Sequence, residues 1–169
     1  MAELEQERAD LLETLHGHRG FLRYTTRELT DEQARQRTTV SALCLGGLIK
    51  HVAAVERQWA GFIVNGPPPK QVMDDAMAQD WSRGFSLAED ETLASVLADY
   101  EVAAGQTDEL VRTLPSLDAS QPLPEAPWFP PNARWSARRV LLHIIAETSQ
   151  HAGHADIIRE ALDGAKTMG

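Results

Sequence analysis

Apolar residues recur along this chain at three- and four-residue steps, in four blocks separated by polar or proline-rich stretches. Within residues 3–29, Leu4, Leu11, Leu15, His18, Leu22 and Leu29 share one face at helical spacing. They predict a first helix that ends before the polar run LTDEQARQR. A second helix is predicted over about 42–64, with Ser41 as N-cap and Asn65-Gly66 before three prolines as the stop. Its core stripe reads Cys44, Leu48, His51, Val55, Gln58 and Phe62. Residues 67–88 show no period and read as irregular. A third helix is predicted over about 90–114 from Leu93, Val96, Leu97, Tyr100, Ala103, Leu110 and Val111. Prolines then exclude helix or central strand up to Trp135. Ser136 caps a fourth helix that runs to about Leu162 and ends at Gly164.

No segment alternates convincingly with period two, and no repeat or linker marks a second domain. The expected fold is all-α: a four-helix bundle forming a single domain over residues 1–169. Long loops join the second helix to the third and the third to the fourth.

The fourth helix departs from a plain amphipathic pattern. Its apolar face, set by Val140, Ile144 and Ile158, also carries Glu147, His151 and His154. At about 100° per residue, His151 lies about 40° from Glu147 and His154 about 20° the other way. Glu147 and His151 are four residues apart, one above the other on the helix surface, which is how a helix presents two ligands to one metal. The second helix supplies His51 in an apolar setting between Leu48 and Val55. A buried carboxylate costs several kcal/mol unless paired, and the pattern places no matched cationic residue in the core. Two imidazoles and one carboxylate are a usual donor set for zinc with the fourth position open. The same set suits ferrous iron or nickel. A plainer reading stands beside this one: His51 held by an ordinary hydrogen bond, and Glu147 in a salt bridge with Arg138, Arg139 or Lys50.

Composition narrows the partners. The 169 residues carry a formal net charge of −9, which argues against nucleic acid and anionic membrane surfaces. No apolar run approaches the ~20 residues that span a bilayer, and the acidic, amphipathic opening MAELEQERADLLETL does not read as a signal peptide. Cys44 is the single cysteine, so no internal disulfide forms and a cytoplasmic location is expected. Cys44 and His18 read as core residues, and His16 and His143 as surface or edge residues. Gly46 and Gly47 suggest a close helix crossing, and Trp59, Trp128 and Trp135 are core or pocket-rim residues.

The stretches GGLIKHVAAVERQW and VLLHIIAETSQHAGHADIIRE resemble the DinB-like and YfiT-like metal-binding bundles. The nearest branch includes the bundle domain of mycothiol-dependent maleylpyruvate isomerase. The resemblance extends over essentially the whole chain but is specific in these two stretches. In most of that superfamily the ligands are a histidine on the second helix and a His-x-x-x-His pair on the fourth. Here Glu147 replaces the first of the pair, so His51, Glu147 and His151 match the His/Glu/His variant. His154 fits the HAGHAD pattern of the branch, either as a fourth ligand that would close the site or, by preference, as an outer-sphere partner of the metal or an acid/base group that would leave it open. The resemblance also implies a homodimer. The isomerase carries an additional C-terminal domain that helps hold its thiol, which this chain does not continue into, so its particular reaction is not implied.

What the resemblance implies is a metal-dependent transferase, with zinc as the expected ion and nickel or iron as substitutes. A low-molecular-weight thiol such as mycothiol would attack an electrophilic small molecule. The alternatives are a metal-dependent hydrolase, a ferrous oxygenase and a metal-binding stress protein without turnover.

Overall fold

Residues 5–68 and 83–167 are described by the computed structural model, and they form five helices and one two-stranded ribbon. The helices are α1 (Gln6–Tyr24), α2 (Asp31–Arg35), α3 (Leu45–Asn65), α4 (Leu93–Thr113) and α5 (Ala137–Asp163). The ribbon pairs β1 (Ser120–Pro122) with β2 (Arg134–Ser136) in antiparallel fashion, Gln121 opposite Trp135. The expected all-α bundle is present. Helix α3 packs on α4 and α5, and α1 packs on α5 and α4, so α1 and α3 face each other across the bundle. The structural neighbours of the one-turn α2 are on α3.

Local signals explain most of the helix ends. Ser95 N–H donates to Thr92 Oγ1 and Thr92 N–H donates to Ser95 Oγ, both at 3.0 Å, a reciprocal cap that starts α4. Thr30 and Gln33 start α2 in the same way. At α5, Arg139 N–H donates to Ser136 Oγ at 3.2 Å, and Gly164 closes the helix in the left-handed region at φ 79°, both as the sequence predicts. Three expectations need correction. The first helix stops at Tyr24, four residues early, because the chain turns through 25–28 into the capped α2. Ser41 does not cap α3; Cys44 holds that position, and Ser41 Oγ instead accepts from Leu43 N–H. The proline-rich stretch contains a short ribbon, too brief to show a period, in which each strand is an edge. Most of the stretch read as irregular, residues 69–82, lies outside the described residues, as does Leu4.

The apolar interior falls into two clusters. One gathers Leu22, Leu48, Val52, Val96, Ala155 and Ile158, and the other Leu11, Leu15, Phe62, Val111, Val140 and Ile144. Between them each long helix contributes polar residues at one level: Arg19 on α1, Glu56 on α3, Asp108 on α4, and Glu147 with Thr148 on α5. Arg19 lies 5% exposed and grips Glu56 with two hydrogen bonds, Nη2 to Oε1 at 2.5 Å and Nε to Oε2 at 3.2 Å. Its Nη1 donates to Asp108 Oδ1 at 2.7 Å. Burial works against the Arg19 cation, but the two carboxylates more than offset it and raise its pKa above the usual value. The core therefore does contain cations, against the expectation. Arg8 caps carbonyls of Val111 and Leu114, and Arg159 caps those of Thr25 and Arg27. None of the three reaches Glu147.

Gly46 and Gly47 mark a close approach, though not of two helices. A Cβ at Gly47 would lie 1.9 Å from the Phe85 carbonyl oxygen, and one at Gly46 2.9 Å from Leu87 Cδ2. The neighbour is the irregular segment around residues 85–87, laid directly on the first turn of α3. Only glycine admits backbone that close, and the contact sets Phe85 over the helix one turn further on.

Candidate metal centre

His51 projects from α3 and Glu147 and His151 from α5, the two helices that pack against each other on this side of the bundle. One ligand atom from each of the three lies within 4.8 Å of the others. His51 is 8% exposed, whereas Glu147 and His151 are half-buried. Fuller burial on α5 goes to Leu141, Ile144, Thr148, Ala152 and Ala155. The carboxylate and the imidazole thus lie on the flank of the core stripe rather than at its centre.

Each ring is held by its neighbours. The Phe85 ring stacks on His51 with centroids 4.0 Å apart, and the His51 and His151 rings meet edge to face at 4.8 Å. His151 presents Nε2 to Glu147 Oε2 at 3.7 Å, while its Nδ1 faces His154 Nδ1 at 3.4 Å. When His151 donates through Nδ1, its Nε2 keeps a free lone pair toward Glu147 and His51, which is the tautomer a metal needs. Burial and the nearby His151 push the His51 pKa down to about 4, so this imidazole is neutral at physiological pH. Burial also lowers His151, against the pull of Glu147.

The three arginines and lysines considered as partners of Glu147 are engaged elsewhere. Arg138 pairs with Glu7 and Asp118, Arg139 lies over the Trp135 ring, and Lys50 bonds Glu91 at 2.8 Å. The ion-pair partners of Glu147 among the described residues are His143 and His151, at 3.6 and 3.7 Å. Burial lowers the pKa of both histidines, and among the described residues no lysine or arginine pairs with the carboxylate. Two neutral imidazoles and one anion converging from two helices fit a divalent cation.

The other sequence readings sort as follows. His143 is an edge residue, as expected, half-buried with its ring edge-on to Trp59 at 4.8 Å and to Trp135 at 5.1 Å, and those two tryptophans stack at 5.0 Å. Trp128 is 75% exposed, with its ring edge-on to Phe129 at 6.2 Å. Cys44 is buried at the start of α3, its thiol 3.8 Å from the Phe85 carbonyl, in a structural role. His18 is only half-buried, because the core position beside it belongs to Arg19. His16 is exposed as expected but bonds Asp108 at 2.6 Å. On α3 the stripe is rotated, so that Gln58 is exposed and Glu56 buried. The Phe85 contact on His51 and the ion cluster around Arg19 were missed, since both depend on partners distant in sequence.

Among curated proteins none matches the chain. A crystal structure described as the conserved protein of a locus from Enterococcus faecalis is similar at a TM-score of 0.67, covering 92% of this chain and 96% of that one. At 17% identity that likeness speaks for the fold alone. A family model described as mycothiol-S-transferase matches residues 10–164, a span that takes in both helices of the centre; the chain belongs to the mycothiol S-transferase family.

Proposed function

We propose that the chain is a metal-dependent transferase that joins a low-molecular-weight thiol, mycothiol by the family it belongs to, to an electrophilic small molecule. The observation that carries the metal part is the donor set: His51, Glu147 and His151 converge, and among the described residues no lysine or arginine pairs with the carboxylate. In this reading the three would hold one divalent ion, zinc by preference, whose positive charge would acidify a thiol bound there. His154 orients His151 from behind through the Nδ1 contact, and Phe85 keeps the His51 ring in place. The thiol gives up its S–H proton to solvent, and its sulfur pair forms a C–S bond with the electrophilic carbon. A leaving group departs with its bonding pair. With an activated alkene, the displaced π pair instead ends on the adjacent carbon, which takes up a proton.

The test is a conjugation screen of mycothiol and other small thiols against a model electrophile, using protein stripped with a chelator and reloaded with zinc, nickel or ferrous iron. Turnover above the spontaneous rate is expected with one thiol favoured, lost on stripping and restored by metal. Absence of conjugation with every thiol and metal would overturn the transferase reading. Ester or amide hydrolysis by the same preparations would replace it with metal-dependent hydrolysis.

A further inference from the structure

A pocket of about 390 Å³, within the range of small-molecule sites, opens at the C-terminal end of α3, and its first lining residue, Gln58, lies about 10 Å along the helix from His51. Five of its lining residues, Gln58, Trp59, Gly61, Phe62 and Asn65, come from the last two turns of α3, and Pro124 faces them. Among the described residues no charged side chain lines it. The pocket continues the face of α3 that carries His51, since His51, Val55, Gln58 and Phe62 step along one side of the helix. Trp59 belongs to both regions. It lines the pocket, stacks on Trp135, and meets the edge of His143, whose Nε2 lies 3.6 Å from Glu147 Oε1. Trp59 and His143 thus link the pocket wall to Glu147.

We infer that this pocket is the subsite for the body of the electrophile, and that it selects neutral, flat, apolar groups such as a fused aromatic ring. The aromatic and proline lining favours ring stacking and apolar burial, and the lack of charged partners among the described lining residues disfavours a carboxylated or phosphorylated body. Calling the occupant an electrophile rests on the transferase reading; the capacity to bind such a ring does not.

Gly61 offers a selective probe. It lies in mid-helix on the pocket wall, and a Cβ added there meets nothing within 4 Å. Gly61→Leu would therefore fill the pocket from a position whose substitution favours the helix. The first readout is equilibrium binding of unreactive N-(1-naphthyl)acetamide to the stripped and zinc-loaded protein, followed by tryptophan fluorescence. The second compares iodoacetamide with N-(1-naphthyl)iodoacetamide, which share one reaction: the C–S bond forms, iodide leaves with the C–I pair, and the thiol proton passes to solvent. Gly61→Leu is expected to weaken naphthylacetamide binding at least tenfold. It should raise KM for the naphthyl electrophile by a similar factor, with KM for iodoacetamide, KM for the thiol and zinc content unchanged. Gly61→Ala, with a smaller side chain, should fall between, which guards against a folding artefact in the leucine variant. Unchanged naphthylacetamide binding in Gly61→Leu would overturn the subsite, as would a rise in the thiol KM in place of the electrophile KM. If the wild type bound the ring and Gly61→Leu abolished that binding, while no variant conjugated any thiol, the subsite would stand and the transferase reading would fall.

Discussion

Glu56→Ala is expected to destabilise the fold by about 3–5 kcal/mol, the usual cost of removing one member of a buried ion pair. The Glu56 side chain is 0% exposed, and Arg19 is 5% exposed. Both sit in the polar level between the two apolar clusters, where little water can take over a lost partner. After the substitution Arg19 keeps Asp108 but loses two hydrogen bonds and half of its counter-charge. Asp108 cannot compensate by moving, because its other oxygen is bonded to His16 at 2.6 Å. At roughly 2–4 °C per kcal/mol for a domain of this size, the melting temperature should fall by about 6–20 °C. Urea unfolding monitored by circular dichroism checks it. A loss below about 1 kcal/mol would mean that solvent reaches Arg19 and that the pair behaves as a surface contact.

Glu147 carries the second large effect, this time on metal and chemistry. Were it only an i,i+4 partner of His143 and His151, glutamine would replace it at a cost of about 1 kcal/mol or less. As a ligand it is the single anion of the set, so Glu147→Gln raises the formal charge of the site by one. Zinc affinity is expected to fall by at least about tenfold, since changes even to residues that merely orient ligands cost ten- to a hundredfold. Glu147→His restores a nitrogen donor at that position and is expected to keep a metal. Thiol conjugation should drop in Glu147→Gln in step with occupancy. His154→Ala should spare most of the metal and change the rate, because its contact is with the far nitrogen of His151. Unchanged conjugation in a metal-free Glu147→Gln protein would remove the metal from the reaction.

The legible and illegible parts of this molecule differ in a physical way. Helix α5 could be read almost residue by residue, because Ser136 and Gly164 act locally and its face repeats at 3.6 residues. The same repeat exposed Glu147, His151 and His154 as anomalies, and His51 stood out as a histidine between apolar neighbours. What the pattern hid was every charged residue made tolerable by a distant partner. Glu56 reads as part of a solvent face until Arg19, 37 residues earlier, folds against it. Arg19 shifts the burial of α1 by one position and leaves His18 at the edge. Gly46 and Gly47 signalled a close approach correctly, but only the fold identifies Phe85 as the neighbour and so explains how His51 is held. The aromatic group of Trp59, Trp135 and His143 needs α3 and the start of α5 side by side, which periodicity within one helix cannot reveal.

The most direct test of the account is a zinc titration of chelator-stripped protein against a competing indicator, for the wild type, His51→Ala and His151→Ala, with circular dichroism to verify that each is folded. His51 and His151 stand on different helices, and each substitution removes one of three donors while leaving the ion pairs around Arg19 intact. The account predicts one tight site per wild-type chain and the loss of that site in both folded variants. Undiminished zinc binding in both variants, or no tight binding by the wild type, would contradict it.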